Sequence, residues 1–442
     1  MSNPGAPNEL DDYSGPFEPG FQLGRLTRMA LGRLGREYML FAHLHDRGLM
    51  PLVAARFGPE AMTEVACDEW IGASPVYNRR NRLQLAVPGD GVSAILKGLQ
   101  VDVGFPHEYM DVRYELTDDS LGYFALPFCG AYQDVFKFSR GSEPAIHQLC
   151  HDMEDTTFDA TVMAVNPLAR CRPEHRPPLQ IGHAGPTCRW RMFLDDTAAT
   201  IAERDLTRAI GASGAARFVF ADVEPAEDGG LGDYAGAFEP GFALESLSQP
   251  VLARQCKEFA LDTHLLMRAA FRSIGERWGE VVAREIARDH WSAVAPISAA
   301  RVRAALRIEG DDIDALLKTL QVDPAFPHEY VRLGCERVDG RRGRFWIEPC
   351  AALAENEPEA WLALLEDERP GFEALVNTVN PQARCRALAP ELVDAGDRGV
   401  LLAWEIEIDP SAEPRPESPM ANAVRASNAA GFVFRGPAAT ET

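Results

Sequence analysis

LKGLQVDVGFPHEY, from Leu96 to Tyr109, returns as LKTLQVDPAFPHEY from Leu317 to Tyr330, an offset of 221 that pairs Lys97 with Lys318, Asp102 with Asp323 and His107 with His328. Working outward, the same offset sets YSGPFEPGF at Tyr13 against YAGAFEPGF at Tyr234. After Cys129 and Cys350 seven residues drop out, and an offset of 214 then pairs VNPLARCR with VNPQARCR, Trp190 with Trp404, and ASGAARFVF with ASNAAGFVF. Self-similarity of this length marks two copies of one unit. Unit one runs over residues 12–222 and unit two over 233–436, joined by VEPAEDGGLG at 223–232, whose Pro, Gly and acidic content reads as a linker. Two such units are expected to pack as an intramolecular pseudo-dimer, with further homo-oligomerisation left open.

Within unit one the hydrophobic period changes once. Leu26, Ala30, Leu34, Tyr38, Phe41 and Leu44 step by threes and fours and predict an amphipathic helix. A second helix is expected over Met50–Phe57 or, past Gly58-Pro59, through EAMTEVACDEW, ending at Gly72 to Pro75, with Arg79, Arg80 and Arg82 in a polar loop; VSAILKGLQ makes a short third. EYMDVRYEL and LGYFALPF then alternate around Asp118-Asp119-Ser120, which predicts a β-hairpin. ARCRP and TCRWRMFL add two strands, and TIAERDLTRAI a last helix. The expected class is α+β: a tandem repeat of two homologous domains, each with N-terminal helices followed by an antiparallel sheet with a helix packed across it.

Composition narrows the partners. A net charge of −22 disfavours nucleic acid and anionic membrane, both of which need positive surface. The opening MSNPGAPNELDDYSG lacks a basic region followed by an apolar stretch, and no run is apolar for the length of a membrane crossing. Nine cysteines without a CxxC pair suggest neither a disulfide framework nor a zinc ribbon, so the chain is expected in the cytoplasm with reduced thiols.

The chemistry-bearing stretch is PAIHQLCHDMEDTTF, from Pro144 to Phe158, with Ser142-Glu143-Pro144 as its helix start. His147, Cys150, His151 and Glu154 stand three and four apart and would form one stripe on a helix. Its counterpart, PEAWLALLEDERPGF, puts Trp361, Leu364 and Leu365 where His147, Cys150 and His151 stand, so the face is expected to be at least half buried and to line a pocket. A copy that does no chemistry can lose reactive groups while keeping its packing. By that test Cys150, His151, Asp155, His175 and Cys188 become Leu364, Leu365, Arg369, Ala389 and Leu402, whereas Glu154, Asp159 and Cys171 survive as Glu368, Glu373 and Cys385. Unit one is therefore the candidate active domain.

Two routes stay open for the stripe. Cys150 could be a nucleophile activated by His147 or His151, with Glu154 or Asp155 as general acid or base. Alternatively His147 and His151, at i and i+4, could hold a divalent metal with Glu154 or Cys150 as third ligand. The plain alternative puts Cys150 in the core with Ile146, Leu149 and Met153. For substrate binding the candidates are Arg79, which copy two replaces by Ala300 and which could clamp a carboxylate, with His107, His175 and Cys188. His107-Glu108 recurs as His328-Glu329 beside proline, and Glu37 and His43 recur as Glu258 and His264, which weights both pairs toward structure.

Cys150, Glu154-Asp155 and Phe158, then Gly185 and Cys188 leading the strand CRWRMFL, resemble the pattern of the L-2-amino-thiazoline-4-carboxylic acid hydrolase-like family. The glycine-to-cysteine strand is also similar to that of 4-vinyl reductase-type small-molecule-binding domains. The first resemblance implies hydrolysis of a C–N or C=N bond in a small, carboxylate-bearing cyclic amidine. The second implies a non-catalytic binding or sensor protein.

Overall fold

In the computed structural model, residues 9–179, 183–197, 199–200, 202–224, 228–354, 360–365 and 370–436 are described. The chain opens with two long helices, α1 (Arg28–Phe57) and α2 (Pro59–Gln84), hinged at Gly58, whose φ of 95° no β-carbon would favour. The short α3 (Val92–Leu99) leads into the hairpin β1 (Met110–Asp118) and β2 (Leu121–Cys129). Then come α4 (Gly130–Ser139), α5 (Glu143–His147), a π-helical turn Gln148–Met153, α6 (Glu154–Met163), β3 (Ala169–His175), β4 (Cys188–Leu194), α7 (Asp205–Gly211) and α8 (Gly214–Arg217). The second half follows the same plan: α9 (Gln249–Trp278), α10 (Glu280–Ala305), α11 (Ile313–Val322), β5 (Leu333–Arg337), β6 (Arg342–Ile347), α12 (Pro370–Val379), β7 (Ala383–Leu388), β8 (Leu402–Ile408), α13 (Ala421–Arg425) and α14 (Asn428–Gly431). Gly279, with φ 92°, repeats the hinge between α9 and α10. The fold is α+β, with two antiparallel four-stranded sheets of matching order, β1-β2-β4-β3 and β5-β6-β8-β7. Among the described residues no helix is long and apolar enough to cross a membrane.

Each sheet buries one face because its strands alternate. Cys188, Trp190 and Met192 of β4 point inward while Arg189 and Arg191 point out. Over the buried face Phe105, Phe124, Phe158 and Trp190 form an aromatic cluster, with Phe158 and Trp190 rings 4.7 Å apart. Phe326, Phe345, Phe372 and Trp404 repeat it in the second half. Residues held in both halves are here the ones that pack the sheet against its helix, α6 or α12.

The sequence units at 12–222 and 233–436 do not correspond to separate cores. One continuous set of buried apolar residues runs from Tyr13 to Ala429, with α1, α2, α9 and α10 at its centre. The lead-in segments are exchanged. Tyr234 donates to Gln100 Oε1 at 2.8 Å, and Lys97 Nζ donates to the carbonyls of Tyr234 and Gly236 at 2.9 and 2.6 Å. Reciprocally, Tyr13 donates to Gln321 Oε1 at 2.9 Å and Lys318 donates to the carbonyls of Tyr13 and Gly15. The two recurrent motifs are thus each other's partners across the halves.

Two expectations about helices are corrected. Residues 72–82 are neither a helix end nor a loop, because α2 continues through Pro75 to Gln84. Pro75 cannot donate to the carbonyl of Ile71, and the Thr207 hydroxyl takes that acceptor at 2.8 Å, so the break costs the helix little. The stripe is not one regular helix occurring twice. In the second half Ala360–Leu364 is a 3-10 turn, and Glu368 and Arg369 lie outside the described residues. The extra helix α4 occupies the stretch that is longer in the first half, and no periodicity in the sequence had singled it out.

Candidate functional site

The π-helical turn Gln148–Met153 decides where the stripe points. Its i→i+5 winding departs from a regular α-helix, yet residues four apart still meet across it: the His147 and His151 rings lie face to face on the outside, while Cys150 turns inward toward Glu154. Cys150 is buried and His147 is exposed. The Ser142 hydroxyl makes no capping bond, so the turn is held by packing on α2 rather than by its start.

Three of the expected residues come together. Cys150, Cys188 and the carboxyl of Glu154 share one buried environment with Cys129: Glu154 raises all three thiols, Cys129 raises Cys150 and Cys188, and Cys188 raises Cys150. Burial pushes the Cys150 and Cys188 thiols well up and Cys129 up to about 12, with the Glu154 carboxylate adding to all three. Burial likewise pushes Glu154 up to about 8, opposed by Arg176 and assisted by Asp155. Glu154 Oε2 is buried with no hydrogen-bond partner. A carboxyl kept neutral near pH 7 can donate or accept a proton, whereas a thiol pushed up cannot supply much thiolate.

Arg176 completes the cluster. Its guanidinium lies 5.5 Å from the Trp190 ring and forks onto half-exposed Asp155, with Nη2 to Oδ2 at 3.1 Å. Neither Arg176 nor Cys129 had been singled out as a site residue. Arg176 was findable by the asymmetry test, since Pro390 takes its place in the second half. Cys129 was not, because Cys350 retains it.

The remaining candidates lie elsewhere. His147 and His151 rings stack at 4.1 Å and 9°, with His147 Nδ1 3.4 Å from exposed Asp152 and His151 Nε2 2.8 Å from the Pro177 carbonyl. Ring nitrogens bind metals in the ring plane, and two parallel planes share no such point. Among the described residues no group of three or more His, Cys, Asp or Glu is placed to hold a metal, so the set His147, His151 and Glu154 is not assembled. Arg79 pairs with Glu203 on the exposed side of α2. His107 Nε2 lies 2.7 Å from the Gln100 carbonyl, as His328 Nε2 does from Gln321 at 2.6 Å, and burial pushes both down to about 4, which marks a structural pair. His175 Nε2 is 3.0 Å from the Pro186 carbonyl and ties down the β3–β4 loop.

Clefts open on the surface formed by the described residues. One of about 670 Å³ lies between α9, α10 and Ala360–Ala363 in the second half, and one of about 360 Å³ is bordered by Cys67, Asp68, Gln148 and Asp152. Neither includes Cys150 or Glu154. The buried thiol makes a direct prediction. With iodoacetamide at about pH 8, Cys150 is expected to alkylate at least about tenfold more slowly than partly exposed Cys350, read by peptide mass spectrometry. Equal rates would restore the nucleophile reading.

No protein-family model, no curated protein and no solved structure matches this chain.

Proposed function

We propose that the first half carries a small-molecule hydrolase centre in which Glu154, rather than Cys150, does the proton transfer. The observation that carries this reading is the buried, unpartnered Oε2 of a carboxyl pushed up to about 8, beside an arginine and three neutral thiols. On this reading the substrate is the one the thiazoline-carboxylate hydrolase resemblance implies: a small cyclic amidine or amide bearing a carboxylate. Arg176 takes over the clamping role first given to Arg79, with the substrate carboxylate displacing Asp155 from its fork. Water adds to the C=N carbon, the C–N bond breaks, Glu154 protonates the departing nitrogen, and the water's proton returns to Glu154. The two halves are then copies of one duplicated unit of which the second has lost the site. Nine free cysteines and a net charge of −22 favour a cytoplasmic protein that binds no nucleic acid.

The test is turnover of a panel of cyclic amidines and carboxamides by wild type, Glu154→Gln, Arg176→Ala and Cys150→Ser. Glu154→Gln is expected to lower kcat by about 10²–10⁴-fold, Arg176→Ala to raise KM for carboxylate-bearing substrates, and Cys150→Ser to leave most activity. Because Glu154 must carry its proton to act as the acid, the rate is expected to fall as pH rises through about 8. A Glu154→Gln enzyme as fast as wild type removes the proposal. A second reading, binding without chemistry, draws on the aromatic wall of Phe105, Phe124, Phe158 and Trp190 beside the thiols. Saturable binding with no turnover in wild type favours it.

A further inference from the structure

We propose that the larger cleft, in the second half, is a binding site for a small organic anion: an aromatic or aliphatic body carrying a carboxylate or phosphate. Its volume of about 670 Å³ suits a molecule of that size and is far more than a lone inorganic ion fills. Four of its lining residues are arginines: Arg268 and Arg272 of α9, and Arg284 and Arg288 of α10. They run from buried Arg268 through half-buried Arg272 and Arg288 to exposed Arg284. Beside them Phe271, Ala287 and Ala363 supply a buried apolar floor. The cleft thus offers forked donors to an anionic head group and an apolar surface to the body behind it.

The first half has a cleft in the corresponding place, with the opposite balance of charge. The offset of 221 sets Arg284 against Thr63 and Arg288 against Cys67, which both border the smaller cleft, and sets Arg272 against Pro51. Only Arg268 has an arginine counterpart, Arg47, which bonds Asp134 and the Tyr109 hydroxyl. Among the described residues the smaller cleft is lined by two arginines and four carboxylates, the larger by four arginines and three carboxylates. A net positive lining runs against the field of a chain whose net charge is −22, and three of its arginines lie outside the plan that the halves share. Arg268 and Arg272, like Arg284 and Arg288, stand at i and i+4, where two like charges weaken a helix and a bound anion relieves them. The cleft's own acids are engaged: Glu276 accepts from Arg272 Nε at 2.9 Å, and Glu285 accepts from Arg56 Nη2 at 2.8 Å. All four arginines have partners within the chain, so an anionic head group enters by exchange with them.

The test uses the full chain and titration calorimetry with cinnamate, phenyl phosphate and, as an uncharged control, cinnamyl alcohol. At least one anion is expected to bind with a Kd below about 1 mM and at least about tenfold more tightly than the alcohol, and the tighter of the two identifies the head group. The variant Arg284→Thr with Arg288→Ala, at two positions whose counterparts in the first half are uncharged, is expected to weaken that anion about tenfold or more and to leave the alcohol as it was. In wild type the anion is expected to slow hydrogen exchange in peptides of α9 and α10 around the four arginines, a readout that needs no variant. A Kd above about 1 mM for both anions overturns the site, as does equal affinity for anion and alcohol. So does unchanged anion affinity in the double variant, or no slowing of exchange in those peptides. Neither Cys150 nor Glu154 lines this cleft, so the outcome is independent of the hydrolase reading.

Discussion

Alanine in place of Arg80 is expected to lower the unfolding free energy by about 3–5 kcal/mol, and alanine in place of Arg301 by a similar amount. Arg80 of α2 forks onto Glu258 of α9 at 2.9–3.1 Å and also donates to the carbonyls of Ala216 and Phe218 at 2.7 and 2.6 Å. Arg301 of α10 forks onto Glu37 of α1 at 2.6 and 3.1 Å and donates to Ala429 and Ala430 at 3.1 and 2.9 Å. The side chains of the first pair are 11% and 5% exposed, so this is an interior pair and not a screened surface contact. Burial pushes Glu37 and Glu258 up, with the arginines opposing, and removing an arginine leaves a buried carboxyl that must take a proton or draw in water. Urea unfolding at neutral pH reads the loss. Arg80→Met combined with Glu258→Met is expected to recover most of it, since two apolar chains leave no uncompensated charge. A loss below about 1 kcal/mol would class the pair with exposed ion pairs and contradict the burial argument.

A protein cut between Glu224 and Asp228, at an engineered protease site, is expected to stay in one piece. The two fragments share one apolar core, and each holds the other's lead-in segment through Lys97, Gln100, Lys318 and Gln321. Independent domains would separate on cutting, because nothing but the linker would join them. Gel filtration of the cut protein at micromolar concentration is expected to give one peak of unchanged size containing both fragments. Two peaks would show that each half closes its own core. If association holds, Lys97→Ala with Lys318→Ala is expected to weaken it, because both amines bond carbonyls of the opposite half.

The candidate site was only partly legible in advance. Cys150 and Cys188 could be singled out because Leu364 and Leu402 stand at the corresponding positions of the second half, a contrast visible in the letters alone, whereas Glu154, matched by Glu368, was found only by its spacing from Cys150. His147 and His151 were selected by a spacing of four that does bring their rings together, but the rings stack in parallel, with His147 exposed and His151 held on the Pro177 carbonyl, away from the thiols. Arg79 and Arg80 are adjacent in the chain but lie on different sides of α2, one on exposed Glu203 and the other on buried Glu258. Choosing between them needs the neighbours of the helix, which no local pattern contains.

Local letters were enough for the α+β order, the hairpin at Asp118-Asp119-Ser120 and the buried strand faces, because each rests on short-range periodicity or on turn chemistry. Only tertiary structure decided that the halves interlock, that Pro75 sits inside a continuous helix, and that Glu154 meets Arg176 rather than a histidine. Each of these depends on contacts between residues far apart in the chain, where burial sets which polar groups are paired and which are left alone, and that burial is a property of the packed chain and not of any segment of it.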